Sequence, residues 1–76
     1  MKNRDLAAMF ARGSTSGQGS NMFIEGNTIY SYGKHFPVAR RTPTGYLLQK
    51  RGYSKTTAVH KGYVRRAIGS YQEMDL

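Results

Sequence analysis

Short extended runs separated by turn signals leave few folds open to this chain. The segment NMFIEGNTIYSYG predicts two strands, 22–25 and 28–32, on either side of Gly26-Asn27. A Gly-Asn pair between two such runs is a hairpin signal. One longer strand with a bulge is the alternative. In either case the chain doubles back locally, and this favours antiparallel pairing.

The next runs extend this pattern. HFPVARR, 35–41, predicts a strand that lies at an edge or begins near Pro37, because proline has no amide hydrogen to donate. Residues 42–45, TPTG, have the type I turn preference, and YLLQK, 46–50, follows as another strand. Connections this short cannot hold a crossover, so we expect a meander of three or four antiparallel strands.

Helical patterns flank these strands. Residues 1–12 form an N-terminal segment whose helix places Leu6, Met9 and Phe10 on one face. The second helix is predicted from 56 to about 69, with an apolar stripe that contains His60, Val64, Ala67, Ile68 and Tyr71. The predicted class is α+β, with a short N-terminal helix and a C-terminal helix packed on one face of the sheet.

The remaining segments have little to bury. GSTSGQGS, 13–20, is predicted to be a mobile Gly/Ser linker, and 73–76 a frayed tail. The α+β core is then 21–72. Gly62 weakens the second helix relative to alanine, and close approach of a strand would explain it.

Composition excludes several classes of protein. The 76 residues contain no cysteine and two histidines, so we expect no disulfide, no metal site and no cofactor. No apolar run approaches the roughly 20 residues that span a bilayer. The start does not fit a signal peptide, because Asp5 and Arg12 interrupt its short apolar stretch. We expect a protein of the cytoplasm that does not enter a membrane.

Charge is the strongest indication of function. The formal net charge is +8, and no acid occurs between Gly26 and Gln72. A field of one sign over a small domain attracts polyanions, and nucleic acid is the first partner to consider. An acidic protein surface is another. The residues predicted to contact a polyanion are Arg40, Arg41, Lys50, Arg51, Lys55, Lys61, Arg65 and Arg66.

Two further features suit nucleic acid. Ser54, Thr56 and Thr57 either cap the second helix or form an anion seat at its positive end. Three tyrosines, Tyr30, Tyr32 and Tyr46, either stack bases on an open sheet face or belong to the core under the helix. Arg40-Arg41 and Lys50-Arg51 are predicted to cluster at one end of their hairpin.

Catalysis has weak support in the sequence. The stretch YSKTTAVHKGYVRRA, 53–67, holds hydroxyls, a tyrosine and His60 but no carboxylate to orient a base. His60 lies on the predicted inward stripe, where a hydrogen bond to a strand carbonyl or to Tyr30 suits it. We therefore predict no catalytic residues and no enzymatic activity.

The blocks NMFIEGNTIYSYGKHFPVA and YSKTTAVHKGYVRRAI resemble a short uncharacterised domain of phage- and plasmid-borne proteins. The matching positions are Asn21, Ile24, Gly26, Tyr30, Ser31, Tyr32, Gly33, Pro37 and Ala39, then Tyr53, Ser54, Thr56, Thr57 and His60. The likeness runs from about Phe10 to Ile68. It implies a mobile-element origin and no particular activity.

A weaker likeness concerns architecture alone. A helix, three strands and a helix with cations near its start is similar to a double-stranded-RNA-binding domain, which reads mainly shape. Lys55 and Lys61 lie near the corresponding place, but the usual Lys-Lys-x-Ala-Lys run is missing and the linker is long. Small sheet proteins that read the DNA major groove are also similar.

These observations favour a small virus- or mobile-element-encoded accessory protein that binds DNA or RNA mainly through phosphates. The alternative is a phage-encoded inhibitor or adaptor of a host protein, such as a defence or nucleic-acid-processing complex, with arginine and tyrosine anchors. A small sheet with an exposed edge could also form a homodimer.

Overall fold

The computed structural model describes residues 1–32, 36–51 and 55–76. The predicted strand residue His35 and the predicted cap residue Ser54 lie outside these ranges. The elements, in chain order, are α1 (Asn3–Ala11), β1 (Ser16–Gln18), β2 (Met22–Glu25), β3 (Thr28–Ser31), β4 (Pro37–Thr42), β5 (Gly45–Gln49), α2 (Lys55–Ile68) and β6 (Gln72–Met74).

Within the described residues the strands form one six-stranded sheet in the order β1-β2-β3-β4-β5-β6. Neighbours from β1 to β5 pair antiparallel, and β6 pairs parallel with β5 after the chain has passed through α2. The α+β class, the two flanking helices and the hairpins at 26–27 and 43–44 are confirmed. The expectation of three or four strands is wrong.

The first additional strand lies in the predicted Gly/Ser linker. Ser16–Gln18 pairs with Phe23–Glu25, and Gly17 lies beneath α1. A Cβ at Gly17 would be 2.9 Å from Leu6 Cδ1, so the glycine is needed for this close approach. Part of the segment predicted to be mobile is therefore an ordered strand at the sheet edge.

The second additional strand lies at the C-terminal end. Gln72 begins β6, opposite Leu47 of β5. The carbonyl of Met74 then accepts a hydrogen bond of 2.9 Å from the Lys50 amide. The segment predicted as a frayed tail thus begins inside the sheet.

Both helices pack against one face of the sheet and against each other. Leu6, Ala7 and Phe10 of α1 are buried, so α1 belongs to the core rather than being loosely tethered. On α2 the buried residues include His60 and Val64, as the predicted stripe requires. The core comprises Leu6, Ala7, Phe10, Met22, Ile24, Ile29, Val38, Ala39, Leu48 and Val64.

The two helices run in the same direction. Near the start of α1, Asn3 contacts His60, and further along Ala8 lines a groove together with Ala67. The later residue of α1 thus lies beside the later residue of α2, so the two helices are parallel neighbours. Side chains from the first and last thirds of the chain therefore share one solvent-facing surface.

Candidate nucleic-acid interface

The adjacent cations Arg40 and Arg41 of β4 project to opposite faces of the sheet, as neighbours in a strand do. Arg41 points towards α1, where its Nη2 donates to the carbonyl oxygens of Phe10 at 2.9 Å and Ser14 at 2.7 Å. Its Cζ lies 4.7 Å from the centroid of the Phe10 ring. Arg41 therefore stabilises the end of α1, and its guanidinium is already occupied. Arg40 is exposed on the opposite face.

The predicted clustering of the four hairpin cations is wrong. Arg40 pairs with Leu47, and Lys50 is three residues further along the chain, just past the end of β5 and about 10 Å away at 3.3 Å per residue. Arg51 lies beyond it and forms a 3.1 Å ion pair with Asp75. Lys50 and Arg51 are therefore at the opposite end of the hairpin, beside the acidic C-terminal segment.

The cations of α2 form a more coherent set. Lys55, Arg65 and Arg66 are exposed, Lys61 is half-buried, and the helix sequence KTTAVHKGYVRRAI contains no acid. Arg65 and Arg66 lie in the last turn, where cations also interact favourably with the helix dipole. The solvent face of α2 thus carries cations at both ends and no acid, with Ala58 and Val59 exposed between them.

A groove between the helices joins this face to α1. The groove has a volume of about 280 Å³ and is lined by Arg4, Ala8, Tyr63, Arg66 and Ala67. Arg4 Cζ lies 5.7 Å from the Tyr63 ring centroid, which is within the range of a cation–π contact. No acid is among these described lining residues. Cations separated by most of the chain therefore meet at one place.

Arg4 is absent from the residues predicted to bind a polyanion. The prediction followed the acid-free segment 26–72, and Arg4 lies outside it, beside Asp5. One available signal was the i, i+4 spacing of Arg4 and Ala8 on the predicted first helix. That spacing shows that the two residues share a face, but only the packing of α1 against α2 shows which surface that face joins.

The three tyrosines predicted to stack bases do not form a platform. Tyr30 stacks on Phe23, with centroids 4.9 Å apart and planes at 18°. Phe23 is its partner across β2–β3, so one face of the Tyr30 ring is covered by the Phe23 ring. That face is not free to stack on a base.

The other two tyrosines lie elsewhere. Tyr46 is on the helix side of the sheet, where its hydroxyl donates to the Ala11 carbonyl at 2.8 Å and its ring contacts Phe10. Tyr32 leaves the strand with a positive φ of 69° and is exposed, 5.6 Å from the His60 ring. Only Tyr32 offers an accessible ring.

The predicted anion seat at the start of α2 is only partly available. Thr56 is exposed, but Thr57 is buried beneath the helix. A buried hydroxyl cannot contact a phosphate in solvent, so Thr57 has a place in the core instead. The third predicted member, Ser54, lies outside the described residues.

A hydrogen-bonded chain through His60 connects α2 with α1 and the sheet. The Asn21 amide donates to Asn3 Oδ1 at 3.1 Å, and Asn3 Nδ2 lies 3.2 Å from His60 Nε2. His60 Nδ1 lies 2.7 Å from Ser31 Oγ. Because the amide nitrogen can only donate, Nε2 must accept, and Nδ1 then carries the proton and donates to Ser31. The chain of bonds thus selects the neutral imidazole.

This network differs from the predicted contact of His60 with Tyr30 or a strand carbonyl. The Ser31, His60 and Asn3 arrangement has the order of a nucleophile, a base and an orienting group. However, Ser31 is 0% exposed, and no substrate can reach its oxygen. The contact therefore ties the helices to β3 within the core.

Burial lowers the pKa of His60 below its ordinary value of 6.5, because the core disfavours the charged imidazolium. The unfolded chain then binds more protons than the folded one as the pH falls below 6.5, so this contribution to stability is complete above pH 6.5 and is lost as the pH falls towards the lowered pKa. We expect the melting temperature to fall over this window.

Thermal melts from pH 7.5 to pH 5 measure this effect. The control is His60→Gln, which removes this imidazole and should have a flatter profile. An equally steep profile in the variant would assign the pH dependence to other groups.

No helix within the described residues is long and apolar enough to cross a membrane. Among these residues no group of three or more histidine, aspartate or glutamate side chains is placed to hold a metal ion. Comparison of the chain with known protein families, curated proteins and solved structures finds no match.

Proposed function

We propose that this protein binds DNA or RNA through phosphate contacts made by the outer surface of its two helices. The observation that carries this proposal is that the cations of α2 and the cation of α1 form one continuous surface. Arg66 belongs to the basic face of α2 and also lines the groove that contains Arg4 of α1. An extended basic surface on a chain of net charge +8 is complementary to a sugar–phosphate backbone.

The contacts on this surface suit backbone binding rather than base reading. Lys55 and Arg66 are 11 residues apart on α2, about 16 Å at 1.5 Å per residue. That span covers several consecutive phosphates, because each strand of a duplex carries one charge per roughly 3.4 Å. Among the described residues that line the groove, Tyr63 is the one aromatic, and Arg4 lies against its ring, so no row of aromatic rings accompanies these cations. The resemblance to phage- and plasmid-borne domains supports an accessory role in a mobile element.

The test removes three positive charges from the solvent face of α2 and compares the result with the removal of three positive charges elsewhere. The helix variant is Lys55→Gln, Arg65→Gln and Arg66→Gln, and the matched control is Arg40→Gln, Lys50→Gln and Arg51→Gln. Both variants lose three positive charges. Only the first loses them from the proposed surface, and charges further away than about 8 Å are largely screened at 0.15 M salt.

Fluorescence anisotropy with labelled single-stranded DNA, duplex DNA and duplex RNA, titrated at several salt concentrations, measures the effect. For duplex DNA the log–log salt slope should become shallower by about 0.9 for each lost phosphate contact, with affinity falling on the order of tenfold or more. The control should bind within a few-fold of the native protein. Equal losses in both variants would contradict the assigned surface.

Absence of binding by the native protein above the weak non-specific level would overturn the proposed function itself. The basic surface would then have to serve another polyanionic partner, such as an acidic host protein. Recovery of one stoichiometric protein from nuclease-treated host lysate would support that alternative.

A further inference from the structure

Gly62 is partly exposed on the solvent side of α2, and no packing among the described residues explains it. The buried residues His60 and Val64 lie on the opposite side of the helix. Among the described residues, a Cβ built on Gly62 would meet no atom within 4 Å beyond its two chain neighbours and the backbone of its own helix. The close approach of a strand that the sequence led us to expect at Gly62 is therefore not found among the described residues.

The other glycines of the described residues each have a structural reason. Four of them have a positive φ, and two would bring a Cβ within 3.0 Å of α1 side-chain atoms. Gly62 has neither feature. A helix interior is an unfavourable place for glycine, since only proline is a weaker helix former. Alanine at this position would therefore give a more stable helix than glycine does.

The neighbours of Gly62 on this side of α2 are small or positively charged, except for Val59 at i−3, which is 52% exposed. At i−4 the neighbour is the exposed Ala58, and at i+3 and i+4 the neighbours are the exposed Arg65 and Arg66. Lys55 lies two turns before Gly62 on the same side. This side of α2 thus has two small residues and Val59 along its middle and cations at both ends. We define the α2 ridge as Lys55, Ala58, Gly62, Arg65 and Arg66.

We propose that Gly62 is the point of closest contact between α2 and the sugar–phosphate backbone of a bound nucleic acid. Glycine lets another backbone approach a helix more closely than any other residue. A backbone in contact at Gly62 lies between Lys55 on one side and Arg65 and Arg66 on the other. This inference rests on the proposed function and adds the point of contact and the reason for the glycine.

Gly62→Ala and Gly62→Gln separate folding from binding. Because an added side chain meets open space, both variants should be more stable than the native protein, with a melting temperature higher by about 4–8 °C for Gly62→Ala. Both should bind nucleic acid more weakly, by roughly threefold for alanine and tenfold for glutamine. Higher stability together with weaker binding is the expected result.

The control is Ser16→Gln, which adds the same side chain at an exposed site on β1. Its affinity for the same labelled duplexes and single strand should equal that of the native protein. Native-like affinity in both Gly62 variants, with Arg65 and Arg66 still required, would overturn the contact at Gly62 and leave the proposed function standing. A fall in melting temperature for Gly62→Ala would also overturn it, because Gly62 would then serve the fold. No binding by the native protein would overturn both proposals.

Discussion

Arg41→Ala is expected to lower the free energy of unfolding by about 2–4 kcal/mol, whereas Arg40→Ala should change it by no more than about 0.5 kcal/mol. The two arginines are adjacent and carry the same charge, but they face opposite sides of the sheet. Arg41 donates to the carbonyl oxygens of Phe10 and Ser14. Without the guanidinium these carbonyls lose a charged donor at the end of α1, where a positive charge is favoured.

A buried donor of the Arg41 side chain reduces the stability that this residue contributes. Its Nε is buried and has no hydrogen-bond partner within the described residues. Arg40 makes a long contact of 3.4 Å from its Nε to Thr28 Oγ1 and remains exposed. The difference in unfolding free energy between the two variants therefore measures how much the contacts of Arg41 with α1 contribute to stability.

Urea denaturation followed by circular dichroism gives both free energies. The variant Arg41→Lys separates charge from hydrogen-bond geometry, because lysine retains the charge but cannot reproduce the planar fork of guanidinium donors. We expect it to recover less than half of the lost stability. Equal stabilities for Arg40→Ala and Arg41→Ala would show that the hydrogen bonds to Phe10 and Ser14 contribute nothing.

This arginine pair shows how far the sequence could predict the site. Alternation along a strand places the two side chains on opposite faces whatever the fold. Which of the two faces is covered depends on where the helices pack. The sequence would have predicted this face if one side of the sheet were polar and the other apolar. Here both faces carry aromatic and charged residues, such as Phe23 and Arg40 on one side and Tyr46 and Arg41 on the other.

The helices and the two hairpins were predictable because their signals are local. The bounds of α2, Lys55–Ile68, are within one residue of the prediction, since an apolar stripe and a glycine after it define the helix. In contrast, β1 and β6 have three residues each and no apolar alternation. They are held mainly by backbone bonds to neighbouring strands, and nothing in their own residues indicates a strand.

The basic surface was predictable only in part for the same reason. The cations of α2 follow from one helix and its periodicity. The addition of Arg4 depends on parallel packing of α1 beside α2, which no local pattern indicates. Conversely, Arg51 was expected to be available and instead pairs with Asp75, because the C-terminal segment returns to the sheet.

The pairing of the C-terminal segment with the sheet leads to the second prediction of a large change in stability. Deleting residues 72–76 is expected to lower the free energy of unfolding by about 2–4 kcal/mol, because the segment satisfies a buried polar side chain as well as forming β6. Gln49 is 2% exposed. Its Oε1 accepts from the Leu76 amide at 3.2 Å, and its Nε2 donates to the Leu76 carbonyl at 3.4 Å. Deletion also removes the bond between the Lys50 amide and the Met74 carbonyl.

Urea denaturation of the truncated chain measures this loss, and Arg51→Ala is the control. The Arg51–Asp75 ion pair is exposed on both sides, so breaking it alone should change stability by no more than about 1 kcal/mol. A loss confined to the truncation would locate the stabilisation in β6 and Gln49 rather than in the ion pair. A truncated chain with an unchanged urea midpoint would instead mean that 72–76 is a frayed tail in solution and that the Arg51 amide and the Pro37 carbonyl are sufficient partners for Gln49.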